Sequence, residues 1–462
     1  MAFTIRPIVA ASIVCALSLA MTSCNDVNPP DNGSSGETET PVDTTITTTD
    51  TIRIAWNGTS VAIDGSHDGV TVTDDKGYVT INSTVKDISY LLSGNGQGQL
   101  TIYGTNRHQL ILNGLTLSCS DGPAINNQCK KSCYVVLEGT NSLTDGKSYA
   151  TSSEDRKAAF FSEGQMIFSG DGSLTVTGNY KHALASDDYI QFAQSTGTLT
   201  LTSASDGIHA NDGIFFDGGT FVIHAGTDGI QSDSIAININ GGDITVVAKE
   251  EGIESKGTLT VNGGMVYVQA ADDAINSGGD MTINGGYICA YSTGNDGIDA
   301  NGNMYIKGGV IYAIGSNSPE VAIDANSEDQ KKLYVSGGTL VAFGGLESGS
   351  ELTQACYQAS SVSKGKWYAL YDGSELALAF MAVANTTPLV VSTGSSPSLK
   401  AGITVTDGTM LFGGNAAINA TVSGGSDVTL SSYTATGGPG GGGGPGGGNP
   451  PGGGGGGHHG GW

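Results

Sequence analysis

The sequence predicts an all-β chain: a right-handed parallel β-helix with three short strands per rung of about 22 residues, followed by a β-rich C-terminal cap. Two interleaved repeats and one periodicity predict it. The first repeat reads Asp206-Gly207-Ile208, Asp228-Gly229-Ile230, Glu251-Gly252-Ile253, Asp273-Ala274-Ile275 and Asp296-Gly297-Ile298, with isoleucines 22 or 23 residues apart. The second falls between them as Asp217-Gly218-Gly219, Asn240-Gly241-Gly242, Asn262-Gly263-Gly264, Asn284-Gly285-Gly286 and Lys307-Gly308-Gly309. A fixed period of this size marks a solenoid, whose units bury their apolar faces only against their neighbours. Inside each period apolar and polar residues alternate, as in Leu259-Thr260-Val261-Asn262 before a glycine pair and Val266 with Val268 after one. Alternation over short runs bounded by Gly and Asn is strand, and no window carries a helical stripe.

The elements follow in chain order. Residues 1–24 read as a lipoprotein signal peptide: Arg6 precedes an apolar run from Ile8 to Ala20, too short to span a bilayer. The run ends in Met21-Thr22-Ser23-Cys24, which resembles a bacterial lipobox and implies lipidation of Cys24; a plain signal peptide is the alternative. Residues 25–50 have almost no apolar content and are expected to form a disordered tether. The β-helix is assigned to 51–345, less regular in its first half, with an insertion after Leu143. Residues 346–436 carry further strand-like runs, such as Trp367-Tyr368-Ala369-Leu370-Tyr371, and are expected to cover the open end of the solenoid. Residues 437–462 are nearly all Gly and Pro and are expected to form a flexible tail containing His458-His459.

The repeats place polar residues in rows. With Ile208 pointing inward, His209, Gln231, Glu254, Asn276, Asp299 and Asp324 form an outward row. A second outward row, after the glycine pairs, is Val222, Thr245, Tyr267, Cys289, Tyr312 and Val341. Asp206, Asp228, Glu251, Asp273 and Asp296 form a third row at the bend. Carboxylates one rung apart repel, by roughly 3 to 4 kcal/mol at an effective dielectric of 20, so such a row calls for a cation. Calcium suits best because it accepts six to eight oxygen ligands in flexible geometry. Asp206, Asp228, Glu251, Asp273, Asp296, Asp212 and Asp233 are the candidate ligands. The competing reading is that Asp before Gly is simply a good turn former. For sugar, aromatic faces beside polar groups matter: Tyr267, Tyr291 and Tyr312 are candidates for stacking, with Tyr287 and Tyr305 nearby, and Glu254, Asn276, Asp299 and Asp324 for hydrogen bonding.

Three stretches, read in order, carry a family resemblance: Leu110-Ile111-Leu112-Asn113-Gly114-Leu115 with Gly122-Pro123-Ala124-Ile125, Asn141-Ser142-Leu143-Thr144-Asp145-Gly146 with Ala158-Ala159-Phe160-Phe161-Ser162, and Gly172-Ser173-Leu174-Thr175-Val176 with Ser186-Asp187-Asp188. Together with the Asp-Gly-Ile rungs they resemble the bacterial carbohydrate-binding domain-containing β-helix proteins, which have a polysaccharide-lyase-like fold. The resemblance covers roughly residues 51–435. It implies binding of plant cell-wall polysaccharide, cellulose-like or acidic and pectin-like, with associated calcium. The chain departs from that pattern at His182-Ala183-Leu184 and at Val321-Ala322-Ile323, where a calcium site is least safely carried over.

The net charge of −25 offers no basic patch for nucleic acid and would repel an acidic glycan unless calcium bridges the two. Outside the signal region the cysteines are Cys119, Cys129, Cys133, Cys289 and Cys356, an odd count; the first three are close enough in sequence for one disulfide, and buried thiols fit equally. The expected protein is a monomeric, non-catalytic, calcium-associated polysaccharide-binding lipoprotein of the outer membrane or cell envelope, touching the membrane only through its lipid. A polysaccharide lyase is the first alternative: Lys249 and Lys256 flank Glu251, but no arginine lies between Ser205 and Ala325 to hold a substrate carboxylate. A structural envelope spacer or adhesin is the second.

Overall fold

The isoleucine of each repeat stacks on its counterpart one rung away. Leu100, Ile125, Phe160, Leu184, Ile208, Ile230, Ile253, Ile275 and Ile298 are in continuous parallel register. Isolated bridges extend the row to Ile323 and Leu346, and every member is buried. This is a computed structural model that describes residues 44–48 and 50–435; the signal run, Cys24, most of the tether and the Gly/Pro tail lie outside the described residues.

Each rung of the parallel β-helix contributes one strand to each of three faces, as Ile253–Ser255, Thr258–Val261 and Met265–Ala270 do. The first face is an 11-stranded sheet ending at Ile298–Ala300, parallel except for its opening hairpin of Val70–Asp75 with Tyr78–Ser83. The long strands Ile88–Gln97 and His108–Ser118 span both other faces before the chain settles into separate short strands. Small side chains turn the corner after the first face: Ser255 donates to the Thr258 carbonyl at 2.8 Å and Ser277 to that of Gly279 at 2.9 Å.

The two glycines of each pair share one demand, close backbone contact with the neighbouring rung, as at Gly264 where a Cβ would stand 2.9 Å from the Gly242 carbonyl oxygen, and the second adds another. The second of the pair, from Gly219 through Gly242, Gly264, Gly286, Gly309 and Gly338, has φ between +86° and +96°, a region a Cβ opposes. The first is excluded by contact: a Cβ on Gly263 would stand 2.8 Å from the carbonyl oxygen of Asn240, one rung below. Beside them the asparagines form the expected amide ladder. Asn262 donates to Asn240 at 2.8 Å, Asn284 to Asn262 at 2.7 Å, and Asn240 to Asp217 at 2.8 Å, where the ladder ends.

Antiparallel strands close both ends. Ser60–Asp64 pairs with Thr51–Gly58 at the start, and Leu389–Ser392 pairs with the last full rung strand, Thr339–Phe343, at the finish. Such partners remove the open ladder on which another chain could template.

On either side of Leu389–Ser392, residues 367–381 and 397–428 form a separate six-stranded antiparallel sheet. It lies against the flank of the third face. Tyr368, Leu370, Leu378, Phe380, Phe412 and their neighbours pack on Cys289, Tyr312, Ile314, Val341 and Phe343 in one buried cluster. That placement corrects the sugar-stacking assignment at Tyr312, which is fully buried; Tyr267 and Tyr291 pack against the same cluster and stay partly exposed. The register behind the assignment is right, since Thr245, Tyr267, Cys289, Tyr312 and Val341 are successive partners. What overturns it is that apolar side chains at the late positions of the row recruit a second sheet.

Candidate functional site

The bend residue of each rung spends one carboxylate oxygen on the backbone of the next. Asp228 Oδ1 accepts from the amide of Glu251 at 3.0 Å, Asp273 Oδ1 from that of Asp296 at 2.9 Å, and Asp296 Oδ1 from that of Val321 at 2.6 Å. The turn role of Asp before Gly is therefore real, and it leaves the second oxygen free to face the neighbouring row. That row starts three residues later, in the register His209, Gln231, Glu254, Asn276 and Asp299. Its residues are not freely outward: His209 and Glu254 are buried side by side with the bend acids.

Among the described residues three groups gather ligand atoms within 4.8 Å of one another: His182 with Asp206 and His209, Asp228 with Glu251 and Glu254, and Asp296 with Asp299 and Asp324. Asp273 joins none of them, because Asn276 turns an amide N–H to its second oxygen at 3.2 Å, supplying a proton where the other rungs supply a lone pair. Asp212 and Asp233 also stand outside the groups. Asp212 accepts from the Ser234 hydroxyl at 3.2 Å, and Asp233 reaches Nε2 of His209 at 3.3 Å.

Crowding these carboxylates out of water raises their proton affinity. Burial, then the charge of Asp299, pushes Asp273 up to about 8, and burial pushes Asp296 up to about 7. Burial followed by the hydrogen-bonded carboxylates of Glu251 and Glu347 raises Asp228 and Asp324 in the same way. Asp206 goes the other way: burial opposes its charge, but contacts with His182 and His209 hold its carboxyl well below the usual range. The two oxygen-only groups offer hard, anionic donors and fit calcium, whose charge would offset the burial that otherwise favours protonation of Asp228, Asp296 and Asp324.

A polar strip on the second face is the exposed counterpart. Asn238, Thr260, Thr282, Tyr305 and Tyr334 are successive partners, all partly exposed. The rings of Tyr305 and Tyr334 stack with centroids 5.0 Å apart and an interplanar angle of 8°, and the Lys307 ammonium lies 5.4 Å from the Tyr305 centroid. The strip is flanked by the asparagine ladder.

Lys256 pairs with Glu254. Partial burial disfavours its charge, but Glu254, Glu251 and Asp228 together hold its pKa above the ordinary value, so it is a poor proton acceptor.

Sequence reasoning took His182 as a departure from the acidic pattern rather than as a ligand, and it missed Tyr334. His182 sits one rung before Asp206 at the same bend position, a match visible by extending the repeat backwards. Tyr334 follows an insertion ahead of Leu333 that breaks the period, so only the strand pairing reveals it.

A family model described as carbohydrate-binding domain-containing protein matches residues 75–317 and again 234–432. No curated protein matches the chain in sequence. The polysaccharide lyase-like protein from C. thermocellum, solved as a gadolinium derivative, aligns with a TM-score of 0.39 and 20% identity over 59% of this chain and 99% of its own.

Proposed function

The chain belongs to the carbohydrate-binding domain-containing protein family, and we propose that it binds polysaccharide without cleaving it, through the strip that ends in Tyr305 and Tyr334. The observation that carries this reading is the partly exposed tyrosine stack with Lys307 beside it. Two parallel rings stacked one rung apart turn their inner faces to each other, which leaves their edges, their hydroxyls and an outer face to a sugar chain lying along the solenoid. Thr260, Thr282 and the asparagine ladder supply hydrogen-bonding groups along the same line, and Lys307 is a cation for a uronate carboxylate. In our reading calcium occupies the Asp228 and Asp296 groups, where it neutralises buried carboxylates and fixes rung to rung. Delivery to the cell envelope as a lipoprotein anchored at Cys24 belongs to the same reading, supported by the apolar run and the small residues before that cysteine.

The test is binding to polygalacturonate and to cellulose on an array, in Ca²⁺ and then in chelator, while watching for chain shortening or new ultraviolet absorbance. Saturable binding with neither sign of cleavage supports the reading. New absorbance would make the protein a lyase, and absence of binding to any glycan would leave a structural role.

A further inference from the structure

The geometry points to a transition-metal site of the zinc type at His182, Asp206 and His209, built on the same backbone template as the calcium-type group but with a different donor set. The template is shown by register. His182 precedes Asp206 by one rung at the bend, as Asp228 precedes Glu251, and His209 follows Asp206 by three residues, as Glu254 follows Glu251. Both trios hold their ligand atoms within 4.8 Å. In one the donors are three carboxylates; in the other they are two imidazoles and one carboxylate. Nitrogen donors of this kind select zinc and its neighbours over calcium, which takes oxygen.

Three further observations converge on the same point. Nδ1 of His182 and Nδ1 of His209 each stand 3.0 Å from a single atom, Asp206 Oδ2. Ligands bound tetrahedrally at zinc–nitrogen lengths would be about 3.3 Å apart, close to the separations already present. The rings stack 4.5 Å apart at 20°, so one imidazole must tilt out of the stack to bring both lone pairs onto one ion, and the trio is buried.

Next, the contacts around Oδ2 call for a positive charge at the trio, which a metal ion or a doubly protonated His209 would supply. The amide of Asp206 points its N–H at His182 Nδ1 at 3.3 Å, which asks that nitrogen for a lone pair, while Oδ2 asks it for a proton. Nε2 of His182 has no hydrogen-bond partner to decide between them. Nδ1 of His209 faces two acceptors, Asp206 Oδ2 and Gln231 Oε1, each at 3.0 Å; the Gln231 amide nitrogen is committed to Glu254 at 2.9 Å, so its oxygen stays turned inward. Finally, Nε2 of His209 meets the Asp233 carboxylate at 3.3 Å. A carboxylate on the far nitrogen of a histidine, turning its near lone pair toward a metal, is the usual outer support of a zinc ligand. Gln231 Oε1 or a water completes four-coordination.

The test uses the full chain, stripped with chelator and titrated with zinc by calorimetry in excess Ca²⁺. The comparison variants are His209→Gln and His182→Asp, which install residues that following rungs carry at those positions, and the melting temperature of each stripped variant reports that its rungs still close. Wild type should take up zinc despite the calcium. Asp233→Asn should weaken that binding roughly 10- to 100-fold, and either histidine substitution by more. All chains keep His458 and His459, so any binding by the tail cancels in the comparison. Equal zinc affinity in wild type and His209→Gln, or displacement of zinc by equimolar calcium, would overturn the proposal and leave a protonated His209 bridging Asp206 and Asp233.

Discussion

The hydroxyl of Tyr312 donates to the carbonyl oxygen of Met381 across 2.7 Å, joining the third face of the solenoid to the sheet that covers it. Tyr312 is thereby a strut rather than a sugar platform. Tyr312→Phe should cost about 1 kcal/mol by removing that bond, and Tyr312→Ala about 3 to 5 kcal/mol by leaving a cavity. Urea unfolding followed through Trp367, on the covering sheet, measures both. Glycan affinity of the Phe variant should equal that of wild type.

The partly exposed tyrosines should behave in the opposite way. Tyr305→Ala and Tyr334→Ala should each weaken polysaccharide binding by roughly two- to tenfold, as loss of one ring contact implies, with little change in melting temperature. Lys307→Met should lower affinity for polygalacturonate and leave that for neutral glucan unchanged. If both tyrosine variants titrate like wild type, the strip is not the binding face.

Stability should respond to pH in a definite direction. The folded pKa values of about 8 for Asp273 and about 7 for Asp296 lie above the unfolded carboxylate value. Between those limits the folded chain holds more protons than the unfolded one, so stability falls as pH rises, and Asp228 and Asp324, raised in the same way, extend the fall beyond pH 8. The imidazole of His182, lowered by burial, acts only on the acid side, where stability is lost as pH falls below about 6.5. In chelator the melting temperature should therefore drop from pH 6.5 to pH 8. Calcium should restore more of it at pH 8 than at pH 6.5. A melting temperature that climbs over that interval in chelator contradicts the burial of these acids.

The glycine pair supplies a sharper test of the corner. Gly264 combines a φ of +86° with a Cβ position 2.9 Å from the Gly242 carbonyl oxygen, so Ala should cost more there than at Gly263, and Asn, which tolerates positive φ, should recover part of that difference. At Gly263 the obstacle is the Asn240 carbonyl, 2.8 Å from any Cβ, so Asn and Ala should both destabilise. Thermal melts of the four variants separate the two causes.

The five cysteines among the described residues are free and buried. Burial pushes Cys119 up to about 11 and raises Cys133 further, so none of the three clustered thiols should react with a thiol reagent before unfolding.

The sequence by itself determined the rung. Period, isoleucine ladder, glycine corners and asparagine ladder all follow from local rules repeated at constant spacing, and a parallel stack turns equal spacing into contact. It determined the rows of polar residues too, because register between rungs is fixed once the isoleucines align. Only the tertiary structure decided which rows are open. The sheet formed by residues 367–381 and 397–428 has no periodic relation to the rungs it covers, so nothing in the repeat says that Tyr312 is buried and Tyr305 partly exposed. The same holds for the acids: whether a neighbour one row over brings a lone pair, as Glu254 does, or a proton, as Asn276 does, separates a cation group from a plain turn. That difference lies in side-chain direction across the bend, which spacing along the chain does not encode.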